Sequence, residues 1–162
     1  MDMKDLGKTQ KITLSGAVMA VYIVVMYFTQ SFAFGQYQVR IATAIYGLAY
    51  LFPFLVVPLG LSNMLSNLLM GGLGFYDIFG GCAVGLLTAG ICALIGRRGL
   101  SPWLTALPVA LVPALGVSLW LSKLLGVPYA AMAASLLVGQ TISGIASAFL
   151  VKEFKRIWKT EA

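Results

Sequence analysis

The thirty residues IATAIYGLAYLFPFLVVPLGLSNMLSNLLM, positions 41–70, decide the fold. They are apolar almost throughout, too many for one straight membrane span of about 20 residues and too few for two. Pro53 and Pro58 stand in the middle, where a proline removes a backbone donor and ends or kinks a helix. Whether the stretch crosses once or twice sets the orientation of everything that flanks it.

Outward from it lie four plainer apolar segments, at about 12–31, 77–95, 104–122 and 129–151, each long enough to cross. Short cytoplasmic connections collect Lys and Arg. Five spans would put Arg97, Arg98 and the tail cations Lys152, Lys155, Arg156 and Lys159 on the opposite side from Lys4, Lys8 and Lys11. Six spans put every cluster inside. The stretch is therefore read as two short helices, about 41–52 and 54–70, turning at the prolines. At 1.5 Å per residue the first covers only about 18 Å, so it is expected to be shielded by neighbours or to leave a recess. The expectation is an all-α polytopic protein of six transmembrane helices, a single integral domain over residues 1–162, with both termini cytoplasmic.

Composition agrees. Of 162 residues 60% are hydrophobic and 10% charged, and the mean hydropathy is +0.93, outside the range of ordinary soluble domains. The apolar runs are continuous and lack the alternation of a barrel strand. The first segment is too long for a signal-peptide core and is read as a retained helix. The chain has no histidine, and Cys82 and Cys92 are its two cysteines. On one helix they stand about 15 Å apart, too far to pair. A metal site has little to be built from, and an enzyme would lack a nucleophile with its base. The net charge of +6 sits in connections and tail, which fits a membrane surface and not nucleic acid.

In the six-span reading Arg40, Asp77 and Lys123 gather at the outer mouth. Lys123 reads as a snorkelling interfacial residue. Asp77 is too short to snorkel far, and Arg40 adjoins the polar run Gln36 and Gln38, so these four are candidate substrate-binding residues. Asn63 and Asn67, spaced i, i+4, share a helix face, and Gln140 lies mid-way along the last helix; each serves either as interhelical glue or as pocket lining. Tyr76 and Trp120 join the candidate set, because an aromatic beside a polar pocket stacks on a planar ligand. For Trp120 and Tyr129 the aromatic belt is the alternative. Pro108 and Pro113 are expected to interrupt the fifth span. Small residues repeat at i, i+4 as Gly16 and Ala20 with Ala17 beside them, as Gly81 and Gly85, and as Gly144 and Ala148. Internal packing accounts for such stripes, but one on a terminal helix also suits a docking partner.

The runs Phe34-Gly35-Gln36-Tyr37-Gln38-Val39-Arg40, Ser66-Asn67-Leu68-Leu69 and Gly74-Phe75-Tyr76-Asp77-Ile78-Phe79-Gly80 resemble the QueT group, substrate-binding S components of energy-coupling-factor (ECF) transporters assigned to queuosine precursors. The likeness is clearest from Phe34 to Gly90. It implies a six-helix subunit of the cell membrane that captures a vitamin-like solute in an outward-facing pocket. It also implies an energising module as partner, made of a transmembrane coupling protein and two ATPases. Small residues of the first helix meet the coupling protein in such subunits, a role that Gly16, Ala17 and Ala20 suit. ATP is used by the partners, and no cofactor is expected in this chain, which has no glycine-rich phosphate loop.

The chain departs from that pattern. Ala42 and Thr43 stand where a serine and a glutamate are expected after the arginine, and Gln140 where a glutamate is usual. A buried cationic ligand wants an acidic partner, and Asp77 alone remains for it. The ligand expected is a planar heterocycle of nucleobase or vitamin type, a queuosine precursor or a related deazaguanine or vitamin-like heterocycle. The alternatives are a self-contained small-solute carrier and a membrane assembly subunit without ligand.

Overall fold

A computed structural model describes residues 6–33, 39–70 and 73–160 of the chain. All its regular elements are helical: α1 (Lys8–Ala33), a 3-10 helix (Ile41–Tyr50), a 3-10 turn (Pro53–Leu55) leading into α2 (Val56–Met70), α3 (Phe75–Arg97), a second such turn (Pro102–Thr105) leading into α4 (Ala106–Leu125), and α5 (Tyr129–Thr160). Among the described residues five stretches are long and apolar enough to cross a bilayer, and Ile41–Tyr50 is a shorter apolar helix beside them.

The segment expected as an α-helix over 41–52 is the main departure. It winds as a 3-10 helix over Ile41–Tyr50, ten residues where runs beyond three or four are uncommon. The pitch explains its use. At about 2.0 Å per residue the ten residues climb roughly 20 Å, against about 15 Å as an α-helix. Every residue from Ala42 to Tyr50 is buried, enclosed chiefly by α1, α3 and α5. The short segment is thus shielded by its neighbours, as a helix too short for the bilayer must be.

The prolines act differently from one another. Pro53 opens the 3-10 turn that starts the second half, the position where its fixed φ is favourable. Pro58 and Pro108 fall in the first turns of α2 and α4, where orphan N–H groups occur anyway. Pro113 alone lies inside a helix. The expected interruption of the fifth span is absent, since α4 runs unbroken from Ala106 to Leu125. Gly126, with φ +66°, closes it by returning its N–H to the Ser122 carbonyl.

Contacts fix which ends of the helices lie together. Lys11 of α1 stands over the Phe54 ring, and Tyr50 donates its hydroxyl to the Leu100 carbonyl and receives Lys155 of α5. The start of α1, the turn at Pro53, the α3–α4 connection and the last turns of α5 therefore share one end of the bundle, which carries Lys11, Arg97, Arg98 and the cations of the α5 tail. At the other end Arg40 reaches the last residue of α1. The chain passes between these ends six times, five times as long helices and once as the 3-10 helix.

One core cluster joins α1, the 3-10 helix, α2 and α3 around Tyr22, Tyr46, Leu55 and Leu59, and a smaller one joins α3, α4 and α5 around Val84, Leu121 and Leu136. The three small-residue stripes divide between inside and outside. At Gly85 a Cβ would lie 3.2 Å from the Gly60 Cα, and at Gly144 it would lie 2.6 Å from the Ala106 carbonyl oxygen. Those two stripes hold helices together. Gly16, Ala17 and Ala20 are exposed, with nothing within 4 Å of a Cβ at Gly16.

Candidate functional site

Polar side chains in an apolar bundle cost free energy unless they find partners. At the end opposite the basic residues they find one another. Arg40 caps the 3-10 helix and is only 3% exposed. Its guanidinium donates from Nη1 to Asn63 Oδ1 at 3.3 Å, from Nη2 to Asn67 Oδ1 at 3.2 Å, and from Nε to the Ala33 carbonyl at 3.4 Å. The i, i+4 spacing on α2 sets the two amides side by side, so that one planar fork reads both.

The far sides of the amides grip α3. Asn63 Nδ2 donates to the Gly81 carbonyl at 2.9 Å, and Asn67 Nδ2 donates to the Asp77 carbonyl at 2.7 Å. Gly81 is required for this approach, because a Cβ there would sit 2.5 Å from Asn67 Nδ2. Asp77 lies in the first turn of α3 and is buried, a favourable place for a carboxylate against the helix dipole. Its Oδ2 accepts the Leu73 N–H at 3.2 Å, and its Oδ1 accepts the Trp120 indole N–H of α4 at 3.2 Å. The indole lies against Gly80, where a Cβ would come within 2.9 Å of the ring.

The arginine backbone ties in α5. Ser143 donates to the Arg40 carbonyl at 2.8 Å, and Thr43 Oγ1 reaches the same oxygen at 2.6 Å and Gln140 Oε1 at 3.0 Å. A hydroxyl has one proton, so Thr43 donates to one of these oxygens at a time. Hydrogen bonds to charged groups contribute about 1.5–3 kcal/mol each, and here those of Arg40 tie the 3-10 helix to α1 and α2 while that of Asp77 ties α3 to α4.

The structure brings together Arg40, Asn63, Asn67, Asp77, Trp120 and Gln140 of the candidate residues. Gln36 and Gln38 lie outside the described residues. Tyr76 is 65% exposed and turns away from the amide cluster, lining with Trp120 and Lys123 a shallow cleft of about 330 Å³. Tyr129 is exposed and donates to the Leu115 carbonyl, which fits the aromatic belt. Arg40 points inward to α2. Ser143 and Thr43 join the same polar layer. Their signals were spacing alone, Ser143 one helical turn beyond Gln140 and Thr43 one 3-10 turn beyond Arg40.

A family model described as the QueT transporter matches residues 12–156, nearly the whole chain. No curated protein and no solved structure matches it.

Proposed function

Since the chain belongs to the QueT transporter family, we propose that it is the substrate-binding S component of an ECF importer, taking up a queuosine precursor or related deazaguanine. The observation that carries this reading is the string of buried Arg40, Asn67 and Asp77 with partly buried Trp120 at the end opposite Arg97, Arg98 and the α5 tail. The basic end is assigned to the cytoplasm of the cell membrane by the distribution of Lys and Arg, so the string faces outward. A planar heterocycle presents donors and acceptors along its edge. Asp77 accepts from the donors, the amides of Asn63, Asn67 and Gln140 read the rest, and the Trp120 ring offers a stacking face. Arg40 holds the two asparagines in register and does not itself need to touch the ligand.

The exposed stripe Gly16, Ala17 and Ala20 of α1 is the surface for the coupling protein, and ATP is hydrolysed on partner subunits. Uptake of a labelled deazaguanine into vesicles tests the reading. Transport is expected only when the coupling protein, the ATPases and ATP are present with this chain. Uptake by the chain alone would make it a self-contained carrier.

A further inference from the structure

The basic end holds a cavity of about 470 Å³ that the capture of a solute at the far end does not use. Five parts of the chain meet there: the start of α1, the end of the 3-10 helix, the turn at 51–54, the end of α3 and the last turns of α5. Its floor is Tyr50, Phe52 and Phe54, and its charged groups are Lys11, Arg97 and Lys155. Lys155 Nζ stands 3.3 Å from the Tyr50 hydroxyl and 5.4 Å from its ring centroid, and Lys11 Nζ stands 5.9 Å from the Phe54 centroid. Aromatic contacts thus steer two flexible cations toward one space.

No acidic side chain lines the cavity among the described residues. Glu153, on the same stretch of α5, pairs outward with Arg156 at 3.3 Å. Three cations around one recess repel each other, and the repulsion falls when an anion enters. The recess also lies at the level of a membrane interface. Trp103 is half-exposed on the neighbouring turn with Lys152 over its ring at 5.8 Å, an arrangement typical of the headgroup layer.

We propose that this cavity binds the phosphate headgroup of an anionic phospholipid, with Lys11, Arg97 and Lys155 as the anion ligands. Phosphate is the shared chemistry of a lipid headgroup and of free inorganic phosphate. The mainly apolar floor favours the lipid, because a small ion would leave the aromatic rings uncovered. Basic recesses between helices at the cytoplasmic face are where such headgroups bind.

The test uses the full chain in an uncharged detergent, titrated with short-chain phosphatidylglycerol, with phosphatidylcholine of the same chains, and with inorganic phosphate. Phosphatidylglycerol is expected to bind at least tenfold more tightly than phosphatidylcholine. The Lys11→Gln, Lys155→Gln double variant should bind it about 30-fold more weakly, at roughly one unit of surface attraction per cation. A double variant of equal charge, Lys152→Gln with Arg156→Gln, removes cations from the same tail outside the cavity and should change affinity less than twofold. Arg97→Gln, at an exposed position, repeats the comparison if the first double variant does not fold. Equal affinity for the two lipids overturns the proposal, as does equal weakening by both double variants. Inorganic phosphate binding as tightly as the lipid replaces the lipid with a small anion. Loss of partner association in the Lys11→Gln, Lys155→Gln variant, without any lipid selectivity in the parent chain, assigns the cavity to an acidic protein surface instead.

Discussion

Asn67 is the residue on which the polar layer turns. One oxygen accepts from Arg40 and one nitrogen donates to the Asp77 carbonyl, so a single amide links a cation on one element to the acidic turn of another. Asn67→Leu would leave a buried guanidinium N–H and a buried carbonyl without this partner, each costing about 1–3 kcal/mol. Thermal unfolding in detergent should show a loss of about 2–6 kcal/mol. A second residue weighs the carboxylate side of the layer. Trp120→Phe removes the indole N–H that Asp77 accepts together with the outer ring atoms that lie against Gly80. At about 1.5–3 kcal/mol for a hydrogen bond to a charged group, thermal unfolding in detergent should show a loss of at least that size. Asp77 itself was visible in the sequence as an acid too short to reach headgroups, and the amides as an i, i+4 pair. Ser143 was not, because a small hydroxyl in an apolar helix ordinarily bonds its own backbone and carries no charge to explain, and Thr43 stood out only as a departure from the resemblance.

Among the elements, the 3-10 helix Ile41–Tyr50 carries the most consequence. Hydropathy identifies an apolar segment but is blind to pitch, so its length and the two prolines that follow it were legible while its winding was not. Burial of the segment on all sides selects the extended form, and that form sets Arg40 and Tyr50 at opposite ends of the bundle. Helix packing around it leaves little slack. Gly85→Ala would push a Cβ to 3.0 Å from the Tyr46 hydroxyl and 3.2 Å from the Gly60 Cα, and overpacking of this kind costs about 1–3 kcal/mol. Gly16→Leu on α1 is the opposite case. With nothing near a Cβ there, stability should change by less than about 0.5 kcal/mol, while co-purification with the coupling protein should be lost. Equal destabilisation by both substitutions would mean that the α1 stripe packs inside and is no docking face.

For the molecule as a whole, charge distribution was the signal that counted the passes. Hydropathy alone finds five long spans, and the basic clusters at 97–98 and in the tail require a sixth to share a side with the first lysines. The contacts of Lys11 with Phe54 and of Lys155 with Tyr50 put those clusters at one end for a physical reason the sequence could not display. Cysteines introduced at Arg98 and at Lys123 test the orientation in intact cells. The first should react with a membrane-impermeant maleimide only after permeabilisation, the second without it. What remains most distinctive is that, among the described residues, Asp77 is the single carboxylate of the polar layer, where the resemblance leads one to expect glutamates at Thr43 and Gln140. Calorimetric titration of the purified chain with a deazaguanine precursor, run on the parent and on Asp77→Asn, addresses this most directly. Saturable binding that weakens at least tenfold in the variant is the predicted result. The contradicting one is no binding by a folded parent chain, or the same affinity in both.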